Sequence, residues 1–193
     1  MPQSNDPNAP PYDLSNFTVL VVEDSVYMHS LISSMLKVFS VGDIMVSEGG
    51  EDAKDLLKVT QARTKSRYIT RVDIVVMDWL MDKGNGETLL KWIRSHEKDS
   101  IRFLPVIVCS GYTTDLITEK ARDLGADEIL VKPVSGTGLA SRICSVIDTP
   151  RPFIKAPNYF GPDRRRREIA YQGEERRLIQ LDQIEVIRNV STE

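Results

Sequence analysis

The chain is poor in the soft ligands from which zinc and iron centres are built. Among 193 residues there are two cysteines and two histidines. Cys109 lies in an apolar run and Cys144 in a helix-like stretch, so both read as buried thiols rather than as a disulfide, in keeping with a reducing compartment. His29 and His96 have no second ligand near them in the sequence and read as surface or half-buried side chains, His29 in the first turns of a helix. No apolar run approaches the ~18 residues of a membrane span. The opening "MPQSNDPNAPPYD" lacks the basic and apolar regions of a secretory signal, and the expected location is the cytoplasm. An excess of one charge is missing too. The 25 Lys and Arg face 28 Asp and Glu, a net of −3, which excludes a general binder of nucleic acid. What is present, 41% hydrophobic and 27% charged residues, fits an ordinary globular chain with one full-sized core and extra segments.

Residues 1–15, rich in Pro, Asn, Asp and Ser, read as a disordered lead. Five short apolar runs follow: "FTVLVVED", "DIMVS", "VDIVVMD", "LPVIVCS" and "DEILVKP". Their length and β-branched content predict strands covered on both faces. Between them the apolar residues take helical spacing. The first helix shows Met28, Leu31, Ile32, Met35, Leu36 and Phe39, and the second, the weakest, Ala53, Leu56 and Leu57. A third is marked by Leu89, Leu90, Trp92 and Ile93. A fourth is marked by Leu116, Ile117, Ala121 and Leu124, with Gly125 as its stop. Leu139, Ile143, Val146 and Ile147 mark a fifth. Strand and helix alternating five times predict an α/β, doubly wound parallel sheet flanked by helices. No internal repeat is seen.

In such sheets ligands bind beyond the carboxyl ends of the strands. The first strand ends in Glu23 and Asp24, the third in Asp78, the fourth in Ser110 and the fifth in Lys132. Singly, an acid at a strand end is an ordinary cap or a solvated loop residue. Five such groups, in order on alternating units, form a constellation. Three clustered carboxylates need a cation among them, and oxygen ligands without His or Cys suit Mg²⁺. A lysine and a hydroxyl aimed at the same point can hold phosphoryl oxygens. An exposed aspartate can itself become the nucleophile and form an acyl phosphate.

With these residues in place the sequence resembles the response-regulator receiver domain of two-component signalling. "VLVVEDS", "DIVVMDWLM", "VIVCSGY" and "ADEILVKP" carry the resemblance, which spans about residues 16–148. It implies a flavodoxin-like sheet in the order 2-1-3-4-5. It implies Asp78 as acceptor of a phosphoryl group from a phosphohistidine of a sensor histidine kinase or a histidine phosphotransfer protein. Mg²⁺ would be held by Asp24 and Asp78, with Glu23 direct or through water, and by the backbone carbonyl of Leu80. Lys132 would pair with the phosphoryl group and Ser110 would swing in to bond it. A receiver of this kind is a signalling module and not an enzyme beyond its own slow dephosphorylation. The resemblance leaves a phosphorylation-dependent dimer open, with the fourth and fifth helices as its expected surface.

Several positions depart from the family pattern. Asp82 stands where the family usually has Pro, adding a fourth acid. Ile129 stands where an aromatic usually switches inward. Leu80 and Tyr112 are bulky at positions that control the access of water to an acyl phosphate, which predicts a persistent phosphate. Trp79, next to the acceptor, is expected on the rim of the site.

The receiver reading covers 16–149, and 150–193 are a C-terminal extension with the basic stretch "GPDRRRR" and no recognisable output domain. Forty-three residues, 151–193, are short for a DNA-binding output domain and show no helix-turn-helix spacing. Nine basic and seven acidic side chains share this segment, so the acids dilute the arginine block and weigh against nucleic acid. Leu178–Val190 is expected to form a helix that meets a downstream protein or packs back on the body. The alternative reading is a regulator whose basic tail binds nucleic acid to control transcription. An aspartyl-phosphate phosphatase is a further alternative. It fails because such enzymes place an acid two residues after the nucleophile, where this chain has Leu80.

Overall fold

The computed structural model describes residues 13–62, 70–82, 85–111, 115–164 and 185–187. The five apolar runs form β1 (Thr18–Val22), β2 (Asp43–Ser47), β3 (Ile74–Asp78), β4 (Val106–Ser110) and β5 (Glu128–Val131). They pair in parallel in the order β2-β1-β3-β4-β5, the 2-1-3-4-5 arrangement. The switch point, where β1 has neighbours on both sides, therefore lies at the carboxyl ends of β1 and β3. The five expected helices are α1 (Val26–Val38), α2 (Gly50–Thr60), α3 (Gly86–Ser95), α5 (Asp115–Asp123) and α6 (Gly136–Asp148). A sixth, α4 (Asp99–Arg102), is a single turn too short for its period to show in the sequence.

Alternation along each strand builds two cores. Leu20, Val22, Val75, Met77, Val106 and Val108 face one way and pack with Ala53 and Leu57 of α2 and Leu89, Leu90 and Ile93 of α3. Val19, Val21, Ile74, Val76, Ile107 and Cys109 face the other way, against Ile32 and Leu36 of α1 and Leu139 and Ile143 of α6. β1, β3 and β4 are buried at every position, as expected of strands covered on both faces. β2 departs from that expectation. It is the sheet edge, with Asp43 and Val46 exposed. Helix starts are capped locally: Ser25 Oγ accepts from Met28 N at 3.4 Å, Asn85 Oδ1 from Glu87 N at 2.7 Å and Ser135 Oγ from Gly138 N at 3.1 Å. Gly125, at φ +92°, follows α5 in the conformation that a side chain would resist.

The extension folds in a way the sequence did not announce. β6 (Phe153–Ala156), β7 (Tyr159–Pro162) and β8 (Glu185–Ile187) make an antiparallel sheet in the order β7-β6-β8. This corrects the expectation of a helix over Leu178–Val190 at the three residues described there. Glu185-Val186-Ile187 pairs with β6 instead, because two adjacent β-branched residues next to an open strand edge gain more from the ladder than from a helix. The rest of that segment lies outside the described residues, as do residues 1–12 of the expected lead. The β6–β7 hairpin packs at the amino end of the sheet, opposite the candidate site. Phe153 and Phe160 meet Phe103 edge-on at 4.9 and 5.2 Å between ring centroids. Arg151 donates to the carbonyls of Ala126 and Asp127. Arg164, the first arginine of the basic block, pairs with Asp123 at the end of α5.

Candidate functional site

Four of the five strands deliver polar groups to the carboxyl edge, β1 two and β3, β4 and β5 one each. Glu23 follows β1, and its N–H donates to the Ser47 carbonyl at the end of β2 (3.0 Å). Asp78 is the last residue of β3, and the next N–H, of Trp79, donates to the Cys109 carbonyl of β4 (2.9 Å). Ser110 closes β4 and accepts at its carbonyl from Lys132 N (2.8 Å), just beyond β5. Lys132 is joined to Pro133 by a cis peptide bond. Backbone pairing thus carries the register of the sheet one residue past its end and sets the functional residues side by side.

Their side chains converge. Carboxylate oxygens of Glu23, Asp24 and Asp78 all lie within 4.8 Å of one another. Lys132 Nζ sits 2.8 Å from Glu23 Oε2 and 3.0 Å from Asp78 Oδ2. Glu23 and Asp78 are buried and Asp24 is half-buried. Burial pulls the Lys132 ammonium down, but its bonds to Glu23 and Asp78 more than reverse this, leaving it above the ordinary lysine value. Three carboxylates against one ammonium leave the pocket in want of positive charge. An all-oxygen donor set of this kind fits a hard divalent cation such as Mg²⁺. Cys109, beneath the site, is pushed up to about 12 by burial and is a packing thiol, not a nucleophile.

Glu23, Asp24, Asp78 and Lys132 are therefore brought together as their spacing suggested, and Ser110 stands buried at the neighbouring strand end. Leu80 is half exposed at the mouth. Trp79 does not sit on the rim. It is 4% exposed and packs in the α2–α3 core, because β3 alternation continues past the strand and puts it on the same face as Val75 and Met77. Ile129 is half-buried against the same core. His29 lies in α1 outside the acidic cluster, and its Nδ1 has no hydrogen-bond partner. His96 ends α3, where Nδ1 accepts from Lys98 N at 3.0 Å and its ring meets Trp92 edge-on, a structural role. Tyr112 lies outside the described residues.

Two features escaped the sequence. The Asp82 N–H donates to Asp24 Oδ2 at 2.6 Å. Gly86 lies so close to the acceptor strand that a Cβ there would come 2.4 Å from the Asp78 carbonyl oxygen. The "GNG" stretch reads as a turn, and only the fold shows how close Gly86 comes to the Asp78 carbonyl.

The sequence profile of the response regulator receiver domain matches residues 19–144. Over 148 residues the chain is 30% identical to the chemotaxis protein CheY of Treponema pallidum, covering 76% of this chain and 90% of that protein. A CheY homolog of Campylobacter jejuni is 29% identical over 131 residues, 68% of this chain and 92% of the homolog. The structure of the chemotaxis response regulator CheY4 of Vibrio cholerae superposes with a TM-score of 0.55 at 22% identity, over 68% of this chain and 98% of that one, and bears on the fold alone. The profile runs from β1 into α6, taking in every strand end that supplies the acidic pocket and its lysine, and the chain belongs to the response regulator receiver family of two-component signalling.

Proposed function

We propose that the protein accepts a phosphoryl group on Asp78 from a phosphohistidine of a sensor histidine kinase or phosphotransfer protein, and signals by phosphorylation-dependent protein contact. The observation that carries this reading is the Asp78 carboxylate at the strand tip, 3.0 Å from Lys132 Nζ and within 4.8 Å of the Glu23 and Asp24 carboxylates. An Asp78 oxygen attacks phosphorus in line. The P–N bond breaks, its electron pair stays on the imidazole, and an acyl phosphate forms. Lys132, already bonded to Asp78, follows the charge onto the phosphoryl oxygens, and the Ser110 hydroxyl donates to another. Mg²⁺, held by Asp24, Asp78, the Leu80 carbonyl and Glu23 directly or through water, would neutralise charge on the phosphoryl oxygens.

The chemistry happens once per signal, which makes the chain a switch and not a turnover enzyme. Leu80, apolar and half exposed two residues after Asp78, shields the acyl phosphate from water and favours a long-lived product. A lifetime of seconds would contradict this. Pairing of Arg164 with Asp123 supports a protein-facing tail over a nucleic-acid-binding one.

The test uses Trp79 as reporter in a Trp92→Phe background. Mg²⁺ and then beryllofluoride should each change the fluorescence saturably, and the beryllofluoride response should vanish in Asp78→Asn. Silence to both in the otherwise native site would refute the proposal.

A further inference from the structure

Asp24 and Asp82 stand 58 positions apart, yet the Asp82 main-chain N–H donates to Asp24 Oδ2 at 2.6 Å. A bond of this length to an ionised acceptor belongs to the strong, charge-assisted class. We infer that the Asp82 amide is a latch that holds the loop 79–82 against the acidic pocket, and so sets how tightly the pocket binds a divalent cation. The inference rests on the Mg²⁺ reading above.

The loop is pinned at its other end by independent contacts. Trp79 N donates to Cys109 O at 2.9 Å, Trp79 O accepts from Gly86 N at 3.1 Å, and the Trp79 side chain is buried. Leu80 therefore lies between two fixed points, the packed Trp79 on one side and, on the other, Met81 buried in the same core and followed by the Asp82 hydrogen bond. Its carbonyl is the group through which the loop would reach a cation. With the latch closed that carbonyl is positioned in advance. With it open the packed Trp79 and Met81 side chains still flank Leu80, and the freedom they leave to its carbonyl must be removed at the moment of binding, at an entropic cost. The amide does not compete for the cation, since a carboxylate offers two oxygens and about four lone-pair sites. Its partial positive charge also eases the repulsion among Asp24, Glu23 and Asp78. The positioning group is main chain, because Asp82 itself is exposed. Proline, the residue of the family pattern at this position, has no N–H to donate.

Two variants separate the amide from the carboxylate. Asp82→Ala keeps the N–H and removes the acid, whereas Asp82→Pro removes both. Mg²⁺ titrations followed by Trp79 fluorescence should show Asp82→Pro binding about five- to tenfold more weakly than Asp82→Ala, the order expected when backbone must be fixed on binding. Equal affinities of the two variants, or tighter binding by the proline variant, would overturn the latch. A measurement on the unmutated protein covers the case in which proline disturbs folding. The Asp82 amide should exchange slowly with solvent without Mg²⁺, and free exchange would overturn the proposal. If the wild type binds no Mg²⁺, latch and metal reading fall together. If it binds and the variants are alike, only the latch falls.

Discussion

The guanidinium of Arg94 reaches the carboxylate of Asp127 at 2.7 Å, with both side chains enclosed where the end of α3 meets the start of β5. The same guanidinium donates to the carbonyls of Gly125, Arg102 and Leu104, each at 2.8 Å. Asp127 also accepts from Val106 N at 2.8 Å. Burial pulls the Arg94 guanidinium down and pushes the Asp127 carboxyl up, and each is opposed by the other's charge. One side chain thus joins α3, α4 and the starts of β4 and β5. Arg94→Met should lose about 3–5 kcal/mol of stability, because Asp127 is left as a buried unpaired charge. Arg94→Lys should not restore it, since an ammonium cannot make the directed fork. Urea denaturation checks both, and an unchanged midpoint for the methionine variant would refute this role.

The hairpin beneath that pair belongs to the folded body. Phe153 is 3% exposed and lies under the Arg94 guanidinium, 5.1 Å from ring centroid to Cζ. A chain ending after Thr149 should lose at least the burial of that ring, about 1.5–3 kcal/mol. Its urea midpoint should fall, and the protein should become more susceptible to proteolysis. A truncated chain as stable as the whole would show that the hairpin adds nothing.

Gly86→Ala addresses the floor of the site. The new Cβ would meet the Asp78 carbonyl at 2.4 Å and the Trp79 Cα at 3.0 Å, both backbone atoms with little room to move. Overpacking of this kind typically costs about 1–3 kcal/mol. Here it should also displace the acceptor carboxylate, so phosphorylation by a small acyl phosphate donor should slow more than stability falls. Unaltered phosphorylation would show that the strand end tolerates the shift.

Lys132 gives a pH dependence with a definite sign. Its folded value lies above the ordinary 10.5, so the folded state holds the proton more tightly than the unfolded one. The stabilisation is complete below the ordinary value and is lost as pH climbs through the folded value. Lys132→Met should remove that alkaline component from the urea midpoint profile. If wild type and variant decline in parallel above the ordinary lysine value, the ammonium contributes no such component.

How far the fold was legible in the sequence depends on where each signal lived. β1, β3 and β4 are apolar at every position because both faces are covered, and their strand-end residues follow at once. Trp79 was misplaced because strand alternation had to be carried beyond the strand. The C-terminal sheet was illegible because β6 and β8 are short and about thirty positions apart, and Pro and Gly in "APNYFGP" read as loop. A short recurrence in the extension departs from the expectation of no internal repeat. Tyr159-Phe160-Gly161-Pro162-Asp163-Arg164-Arg165 returns as Tyr171-Gln172-Gly173-Glu174-Glu175-Arg176-Arg177, with only tyrosine, glycine and the arginines identical and the acid conserved in kind. In the first copy Gly161 is pressed between Gly125 and the Tyr159 ring, and Arg164 lies over that ring. The second copy is outside the described residues. Arg94 carried no signal, since one arginine on a helix looks like any solvated charge until the fold closes over it.

The other roles in the site depend on Asp78 as the phosphoacceptor. The most direct measurement is the intact mass of the full chain after incubation with Mg²⁺ and a small acyl phosphate donor, compared with Asp78→Asn. One added phosphoryl group on the wild type, absent from the variant and removed by hydroxylamine as an acyl phosphate requires, is the predicted result. No added mass on the wild type, or the same addition on Asp78→Asn, would contradict it.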